Sequence, residues 1–325
     1  MRRAEGRQTW GIYVHIPYCV KKCAYCDFVS APSAQRGAEM EDYAAALTAE
    51  ILREVPPLRA RWGDTATIYV GGGTPTALPA PLLTGLLRTL TAAAGEPLEC
   101  SVEANPGTVD EVYLGALRAA GANRLSLGVQ SFDDELLRAV GRIHTAEEAE
   151  RAFHAARAAG FRNISIDLMY GLPGQTLDRL RRSAAAAAAL APEHLSVYGL
   201  TIEEGTPFAA MQAAGRLNLP TEDAAEEMYD FLMAELPARG YARYEIANFA
   251  RRGFESRHNR GYWHMTPYLG LGAAAHGYVD GVRWANEADT PAYIRAVRAG
   301  KCVRTPEDGA RTREREMEEY AFLPL

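Results

Sequence analysis

The sequence predicts an α/β protein in which helices cover a parallel β-sheet. Short apolar runs rich in β-branched residues alternate with longer helical stretches, and after the first two runs they recur about every 30 residues, the length of a βα unit. Because these runs are mostly apolar, we expect strands that are buried under helices. Six such units are predicted, whereas eight would close a full barrel.

Each predicted unit joins a strand to the helix that follows it. The predicted strands are 11–16, 66–70, 98–103, 124–129, 164–169 and 195–200. The predicted helices are 39–54, 79–94, 110–120, 146–159 and 177–190. Glycine follows several of these helices, as is common at a helix C-terminus. Thr108 and Thr145 are candidate N-caps, because a hydroxyl can accept a hydrogen bond from the first free backbone N–H groups.

The pattern changes after residue 205. Beyond it the sequence predicts an amphipathic helix at 222–236 and a strand at 241–249. We therefore expect four segments, which are an N-terminal tail at 1–10, a (βα)6 core at 11–205, an α+β extension at 206–306 and a charged helical segment at 307–325.

Composition excludes several classes of protein. The chain has 325 residues, of which 48% are hydrophobic, enough for one large core or two domains. A net charge of −6 argues against a general binder of nucleic acid or membrane surfaces, so no nucleic-acid partner is expected. The sequence shows neither a secretory signal nor a transmembrane run. Three clustered and two isolated cysteines are typical of a reduced, cytoplasmic protein.

Three cysteines form the most distinctive motif. Cys19, Cys23 and Cys26 follow the first predicted strand with the spacing C-x3-C-x2-C. Cysteine thiolates hold iron–sulfur clusters, and three of them would leave one iron of a [4Fe–4S] cluster open to a small molecule. One alternative is a structural zinc site with His15 as the fourth ligand, although the second ligand pair usual in zinc sites is missing. Another is disulfide formation, for which cysteines this close rarely have good geometry.

Polar residues lie where the predicted strands end, which is where such folds place their reactive groups. The glycine run 71–73, followed by Thr74, ends the second strand, and glycine lets a ligand approach the backbone closely. Glu103 and Asp167 lie late in apolar strands, and acidic residues are rarely buried without a partner. These positions therefore favour ligand contacts, while a plain turn, a helix cap or an ion pair remain the structural alternatives.

These motifs resemble those of the radical S-adenosylmethionine (SAM) enzymes. The resemblance rests on CVKKCAYC and the glycine run, where this chain has Gly-Thr-Pro in place of the more usual Glu. VEANP, GVQSF, GRIH and IDLMYGLPGQT are similar to motifs of the oxygen-independent coproporphyrinogen III oxidase-like family. The resemblance covers essentially the whole chain. It implies an open, partial (βα)6 barrel of the TIM type, a [4Fe–4S] cluster on the three cysteines, and SAM on the fourth iron, where electron transfer would cleave it.

The same resemblance implies a set of SAM contacts. They are Tyr13, Tyr25, Gly72, Gly73, Thr74, Glu103, Gln130, Arg142 and Asp167, with Thr201 and His276 matching less closely. Carboxylates suit the ribose hydroxyls or the ammonium group of SAM, and an arginine suits its carboxylate. No catalytic residue is assigned.

Two features select a branch of this family. The oxidases carry a further Cys two residues after the third cluster Cys, where this chain has Phe28. The sequence HNRGYW matches the H-N-x-x-Y-W motif of the haem-chaperone branch, which implies haem contacts from His258, Asn259, Tyr262 and Trp263. The candidate axial ligands are His258, His264 and His276. The structural alternative is that His258 hydrogen-bonds within a packed aromatic turn.

The resemblance thus implies a haem chaperone that holds a [4Fe–4S] cluster and SAM. Its cargo would be haem, and its partners would be haem-accepting respiratory proteins, including membrane-associated ones. The main alternative is a coproporphyrinogen oxidase that removes CO2 from propionate side chains, and a zinc-binding structural protein is more remote. Relatives continue into a small helical domain. The last residues of this sequence, EEYAFLPL, resemble the start of that domain, so we expect the domain to be truncated here.

Overall fold

The strands and helices of a computed structural model, which describes residues 9–306 and Met317, have the following bounds. The strands are β1 Gly11–Ile16, β2 Tyr18–Cys19, β3 Ala31–Pro32, β4 Thr67–Gly72, β5 Glu99–Ala104, β6 Arg124–Gln130, β7 Ile164–Tyr170, β8 His194–Gly199, β9 Ala242–Arg243, β10 Asn248–Ala250, β11 Tyr268–Leu271, β12 His276–Val279, β13 Val282–Asn286 and β14 Arg304–Pro306. The helices are α1 Gly37–Trp62, α2 Ala80–Ala94, α3 Glu111–Ala119, α4 Asp134–Ala139, α5 Ala146–Ala158, α6 Leu177–Ala189, α7 Pro207–Ala213, α8 Glu222–Ala238, α9 Arg257–Trp263 and α10 Thr290–Arg298.

Most of the described strands belong to one open sheet. Twelve of them are hydrogen-bonded in the order β14-β13-β12-β11-β1-β4-β5-β6-β7-β8-β10-β9. The strands from β11 through β8 run parallel, and antiparallel strands extend the sheet at both edges. The predicted α/β fold with a partial barrel is therefore confirmed. The parallel strand β11 was not predicted. It belongs to the extension at 206–306 and pairs with β1.

The core strands have two chemically different faces. On the helix side of β6, Leu125, Leu127 and Val129 are buried in the core. Alternating with them along the strand, Arg124 and Ser126 line the lumen with other polar residues. Because side chains alternate along a strand, one face packs against helices while the other forms a polar lumen. Such a lumen suits a polar ligand better than the apolar filling of a closed barrel.

Several element boundaries differ from the predicted ones. The cap at Thr145 is confirmed, with a capping box that involves Glu148. The cap at Thr108 is wrong, because Asp110 caps α3 and the Thr108 hydroxyl donates to the carbonyl of Asn105 instead. The single strand at 241–249 is also wrong, because two short antiparallel strands replace it. The chain turns between them, and the Tyr244 hydroxyl hydrogen-bonds to His194 at 2.8 Å.

Helix α9 closes the floor of the lumen, at the N-terminal ends of the strands. The carboxylate of Glu99 accepts hydrogen bonds from the backbone N–H groups of Arg257 and His258, at 2.9 and 3.1 Å. A buried carboxylate at a helix N-terminus satisfies donors that have no partner within the helix. The HNRGYW motif lies on this helix, so these hydrogen bonds to Glu99 hold it at the N-terminal end of the barrel.

Among the described helices, none has the length and apolar character needed to cross a bilayer. The predicted helical segment at 307–325 lies outside the described residues, apart from Met317.

Candidate functional site

A cavity of about 370 Å³ opens where the parallel strands end. Its wall includes many of the residues predicted from the sequence, namely Cys19, Cys23, Tyr25, Cys26, Gly72, Gly73, Thr74, Glu103, Gln130, Arg142, Asp167 and Asn259. These residues are far apart in sequence. Most come from the C-terminal ends of β1 and β4–β7 and the loops that follow them, and Asn259 comes from α9. The parallel topology brings them together, because all of these strands end at the same edge.

Other predicted residues lie outside this cavity. Tyr13 is behind its wall, where its ring stacks on Tyr69 with 6.3 Å between ring centres. Thr201 is exposed in the loop after β8, and His276 is exposed at the start of β12. The motif residues His258, Tyr262 and Trp263 also lie elsewhere, as described below.

The three cysteines are free thiols at the edge of the cavity. The hydroxyl of Thr74 donates to Sγ of Cys19, and Nη1 of Arg142 donates to Sγ of Cys23, both at 3.5 Å. Each contact directs a donor at a sulfur that would bind the cluster. Burial raises the pKa of Cys26.

The geometry does not fit the zinc alternative. Among residues 9–306, no three His, Cys, Asp or Glu side chains converge on one point that could hold a single metal ion. His15 does not join the thiols, because its Nε2 hydrogen-bonds to the carbonyl of Val29 at 2.9 Å and its Nδ1 to Tyr13. A cluster differs from an ion because each thiolate binds a different iron. Three thiols that line the same cavity therefore fit a cluster.

The glycine run is shaped by the cysteine loop that crosses it. The backbone N–H of Gly73 donates to Ile16, and that of Thr74 donates to Tyr18, at 2.9 and 2.7 Å. A Cβ on Gly73 would lie 2.7 Å from the Tyr18 carbonyl and 3.0 Å from Sγ of Cys19. Gly72 has φ of +111°. These glycines permit a close backbone approach, which an ordinary turn would not require.

Two carboxylates face the lumen from neighbouring positions. Glu103 accepts a hydrogen bond from the Tyr69 hydroxyl at 2.7 Å, and burial raises the pKa of its carboxyl to about 7. Asp167 accepts hydrogen bonds from Ser126 at 3.1 Å and Ser165 at 3.3 Å, and burial raises its pKa as well. A cationic ligand would stabilise the ionised form of both groups.

The raised pKa of Glu103 predicts a pH-dependent stability of the ligand-free protein. Ionisation is harder in the folded than in the unfolded chain, so stability should fall as the pH rises from about 4.5 to about 7, by about 3 kcal/mol. Glu103→Gln should remove most of this decline, as measured by denaturant unfolding at several pH values. Exposed Glu204→Gln is the control and should behave like wild type. An unchanged decline in Glu103→Gln would assign it to other groups.

Sequence reasoning missed part of the cavity wall. The missed residues include Tyr69, Asn105, Arg124, Ser126, Ser196 and Tyr198. A usable signal was present, because inward-facing residues recur at every second position of a strand. Counting back from Gln130 along β6 gives Gly128, Ser126 and Arg124, all of which line the cavity.

The HNRGYW motif occupies α9 and presents different residues to different cavities. His258 is 3% exposed, and its ring nitrogens hydrogen-bond to Thr67 at 2.8 Å and Tyr262 at 2.9 Å. Its ring also stacks on Tyr69 at 5.2 Å. Burial lowers the pKa of His258 to about 3, so the imidazole is neutral. His264, which follows the helix, is exposed.

Another cavity, of about 220 Å³, lies beside α9. Its wall consists of Tyr262, Trp263, Met265, Thr266, Tyr268, Tyr278 and Arg283. Tyr268 is in register with Gly11 of β1 and with Tyr278, so this cavity lies on the same face of the sheet as the lumen. The indole Nε1 of Trp263 is buried there without a hydrogen-bond partner among the described residues.

Comparisons with known proteins agree with this geometry. Residues 13–187 match the model of the Radical SAM superfamily. The haem chaperone HemW of Bacillus subtilis is 41% identical over 318 residues, which span 96% of this chain and 82% of that protein. HemW of Escherichia coli is 40% identical over 273 residues, which span 82% and 70% of the two chains.

A solved structure supports the superfamily assignment. Coproporphyrinogen III oxidase (HemN) from Escherichia coli, described as a radical SAM enzyme, superposes with a TM-score of 0.85 at 27% identity. The match covers 97% of this chain and 75% of that one. Membership of this superfamily implies a [4Fe–4S] cluster and SAM, which the three thiols and the lumen fit. The chain belongs to the radical SAM superfamily and, within it, to the family of the HemW haem chaperones.

Proposed function

We propose that this chain is a cytoplasmic haem chaperone, which binds haem beside its SAM site and delivers it to haem-accepting respiratory proteins. The observation that carries the proposal is the position of α9. Asn259 on this helix lines the cavity of the cysteines, whereas Tyr262 and Trp263, within one turn, line the aromatic cavity. A ligand lying across α9 would therefore contact both cavities.

In this proposal the lumen holds the cofactors. Cys19, Cys23 and Cys26 bind the cluster, which when bound can supply an electron to SAM. Arg142 binds the SAM carboxylate, because its Nε is buried without a partner among the described residues. Its other nitrogens donate to Cys23 and to the carbonyl of Gly128, which fixes the guanidinium beside the cysteines.

The remaining lumen residues would orient SAM. Glu103 and Asp167 offer carboxylates to the ammonium or the ribose hydroxyls, and the Gly72–Gly73–Thr74 backbone contacts the amino end. Tyr25 and Gln130 contribute to the wall beside them. Tyr13 acts from behind the wall, through its stacking on Tyr69. Thr201 and His276 are exposed and do not line the cavity, so we assign them no contact in the lumen.

The proposed haem contacts follow from exposure and chemistry. Tyr262 and Trp263 offer aromatic faces to a porphyrin. His258 has no ring nitrogen free in this arrangement, so we assign it a structural role and assign axial ligation to the exposed His264.

A pair of variants separates these roles. His264→Ala should weaken haem binding and alter the Soret band without lowering stability, because its side chain is exposed. His258→Ala should lower the free energy of unfolding by about 2–4 kcal/mol, since it leaves Thr67 and Tyr262 without their buried partner. Haem titration and thermal melting measure the two effects. A changed Soret band in a stable His258→Ala protein, with wild-type behaviour of His264→Ala, would reverse the assignment.

The decisive test of the function is haem binding by protein with a loaded cluster, prepared without oxygen. We expect a saturable Soret change and transfer of haem to an apo-protein acceptor. With SAM, a reductant and coproporphyrinogen III, no protoporphyrinogen should form. Phe28, at the position where the oxidases have Cys, lines the cavity and is 61% exposed. Formation of protoporphyrinogen would favour the oxidase instead, and absence of haem binding would reject the chaperone.

A further inference from the structure

A buried arginine in the lumen has a donor that no described residue satisfies. Arg124 begins β6, and it is 2% exposed although it lines the main cavity. Its Nε is buried and makes no hydrogen bond with any residue in the part of the chain that the structure describes. A buried donor without an acceptor is costly, so the site favours a ligand that supplies an acceptor.

The nearest acids already have other partners. Glu99 accepts two backbone hydrogen bonds from the start of α9. Asp167 accepts hydrogen bonds from the hydroxyls of Ser126 and Ser165. Both carboxylates attract Arg124 through space, but neither fills its fork of donors. A guanidinium with free donors matches a carboxylate, which it can bind with two parallel hydrogen bonds.

The SAM carboxylate is poorly placed to fill this role. Arg142 reaches the lumen wall at the carbonyl of Gly128, next to Cys23. Arg124 lies four residues earlier on β6, roughly 13 Å along the strand and away from the cysteines. The two guanidinium groups therefore mark two separate positions for carboxylates, one beside the cysteines and one near the floor.

The floor position is adjacent to the motif helix. The charge of Arg124 contributes to the lowered pKa of His258, which places the guanidinium close to α9. His258 in turn hydrogen-bonds to Tyr262, whose ring lines the aromatic cavity. A ligand that lies across α9 could thus extend an acidic arm towards Arg124.

We propose that Arg124 binds a carboxylate of a second ligand that shares the lumen with SAM. Resting on the proposed function, we assign this carboxylate to a propionate of haem. The guanidinium would then serve two purposes, since it anchors the porphyrin by one edge and orients it relative to the SAM site.

The test compares haem with iron protoporphyrin dimethyl ester, in which both propionates are esterified and carry no charge. Titrations use cluster-loaded wild type, Arg124→Met and, as a control, the exposed Arg162→Met. Arg124→Met should lower haem affinity roughly tenfold or more while leaving the affinities for the ester and for SAM unchanged. Arg162→Met should match wild type. Haem affinity unchanged in Arg124→Met would overturn this inference, whereas no haem binding by wild type would overturn the proposed function.

Two further outcomes decide against the proposal. A loss of SAM affinity in Arg124→Met would show that the carboxylate belongs to SAM. A lower melting temperature with unchanged haem affinity would show that Arg124 only balances Glu99 and Asp167. If Arg124→Met does not fold, Arg124→Lys replaces it, because an ammonium keeps the charge but loses the fork. Arg124→Lys should bind haem more weakly than wild type and should bind the ester as wild type does. A haem affinity equal to that of wild type would again reject the proposal.

Discussion

Cys23→Ser is expected to abolish the iron–sulfur centre. Wild-type protein reconstituted without oxygen should contain about four irons per chain, and the variant close to none, because a serine hydroxyl does not replace the thiolate. The protein should remain folded, since Cys23 is only partly buried and lies in a loop. Iron and sulfide analysis, together with the visible absorption of the cluster, measures the effect. Binding of SAM should be lost with the iron.

The chain supplies a matched control for this substitution. Cys302 is an exposed free cysteine in the C-terminal part of the described chain, and it does not line the cavity. Cys302→Ser should therefore retain full iron content. Full iron content in Cys23→Ser as well would mean that the cluster, if present, does not depend on this loop.

Gly73→Ala is expected to damage the same centre without touching a ligand. The added methyl group would lie 2.7 Å from the Tyr18 carbonyl and 3.0 Å from Sγ of Cys19. Because the nearest atom belongs to the backbone, the loop that carries Cys19 must shift. Overpacking of this kind costs about 1–3 kcal/mol, and the displaced thiol should lower both cluster content and SAM affinity. Iron analysis and thermal melting would show the two effects.

Gly85→Ala provides the comparison for Gly73→Ala. Gly85 lies within α2, and a Cβ there would meet no atom within 4 Å. Alanine is a better helix former than glycine, so this variant should be up to about 1 kcal/mol more stable and keep its iron. If Gly73→Ala behaved like Gly85→Ala, the close approach between the glycine run and the cysteine loop would have no functional role.

The βα core was predictable from sequence because its signals are local. Apolar β-branched runs of regular spacing predicted β1 and the strands from β4 to β8 within about two residues, and the capping box at Thr145 was predictable in the same way. The two-residue strands β2 and β3 were not predicted. The extension was harder. The short helix α9 and the parallel pairing of β11 with β1 depend on contacts between distant residues, which leave no periodic signal in the sequence.

The residues of the site also differ in whether the sequence could predict their roles. Motif resemblance located the cysteines, the glycine run and the strand-end acids, which all line one cavity. It could not show that His258 has both ring nitrogens engaged, since Thr67 lies 191 positions away in the chain. Nor could it single out Arg124, which within its strand looks like an ordinary polar residue. The role proposed for Arg124 depends on its burial and on an Nε that is unpaired among the described residues, both of which only the folded structure shows.

The pairing of β11 with β1 has a consequence for the order of events during synthesis. The cysteine loop leaves the ribosome early, yet one side of β1 stays an unpaired edge until residues 268–271 follow. Two hydrogen bonds of Tyr43, to His15 and to Ala273, also join these distant parts. The loop that holds the cluster therefore gains its full support only when most of the chain has been made. Insertion of the cluster should be a late step of maturation, and truncation before β11 should yield chains that fail to retain iron.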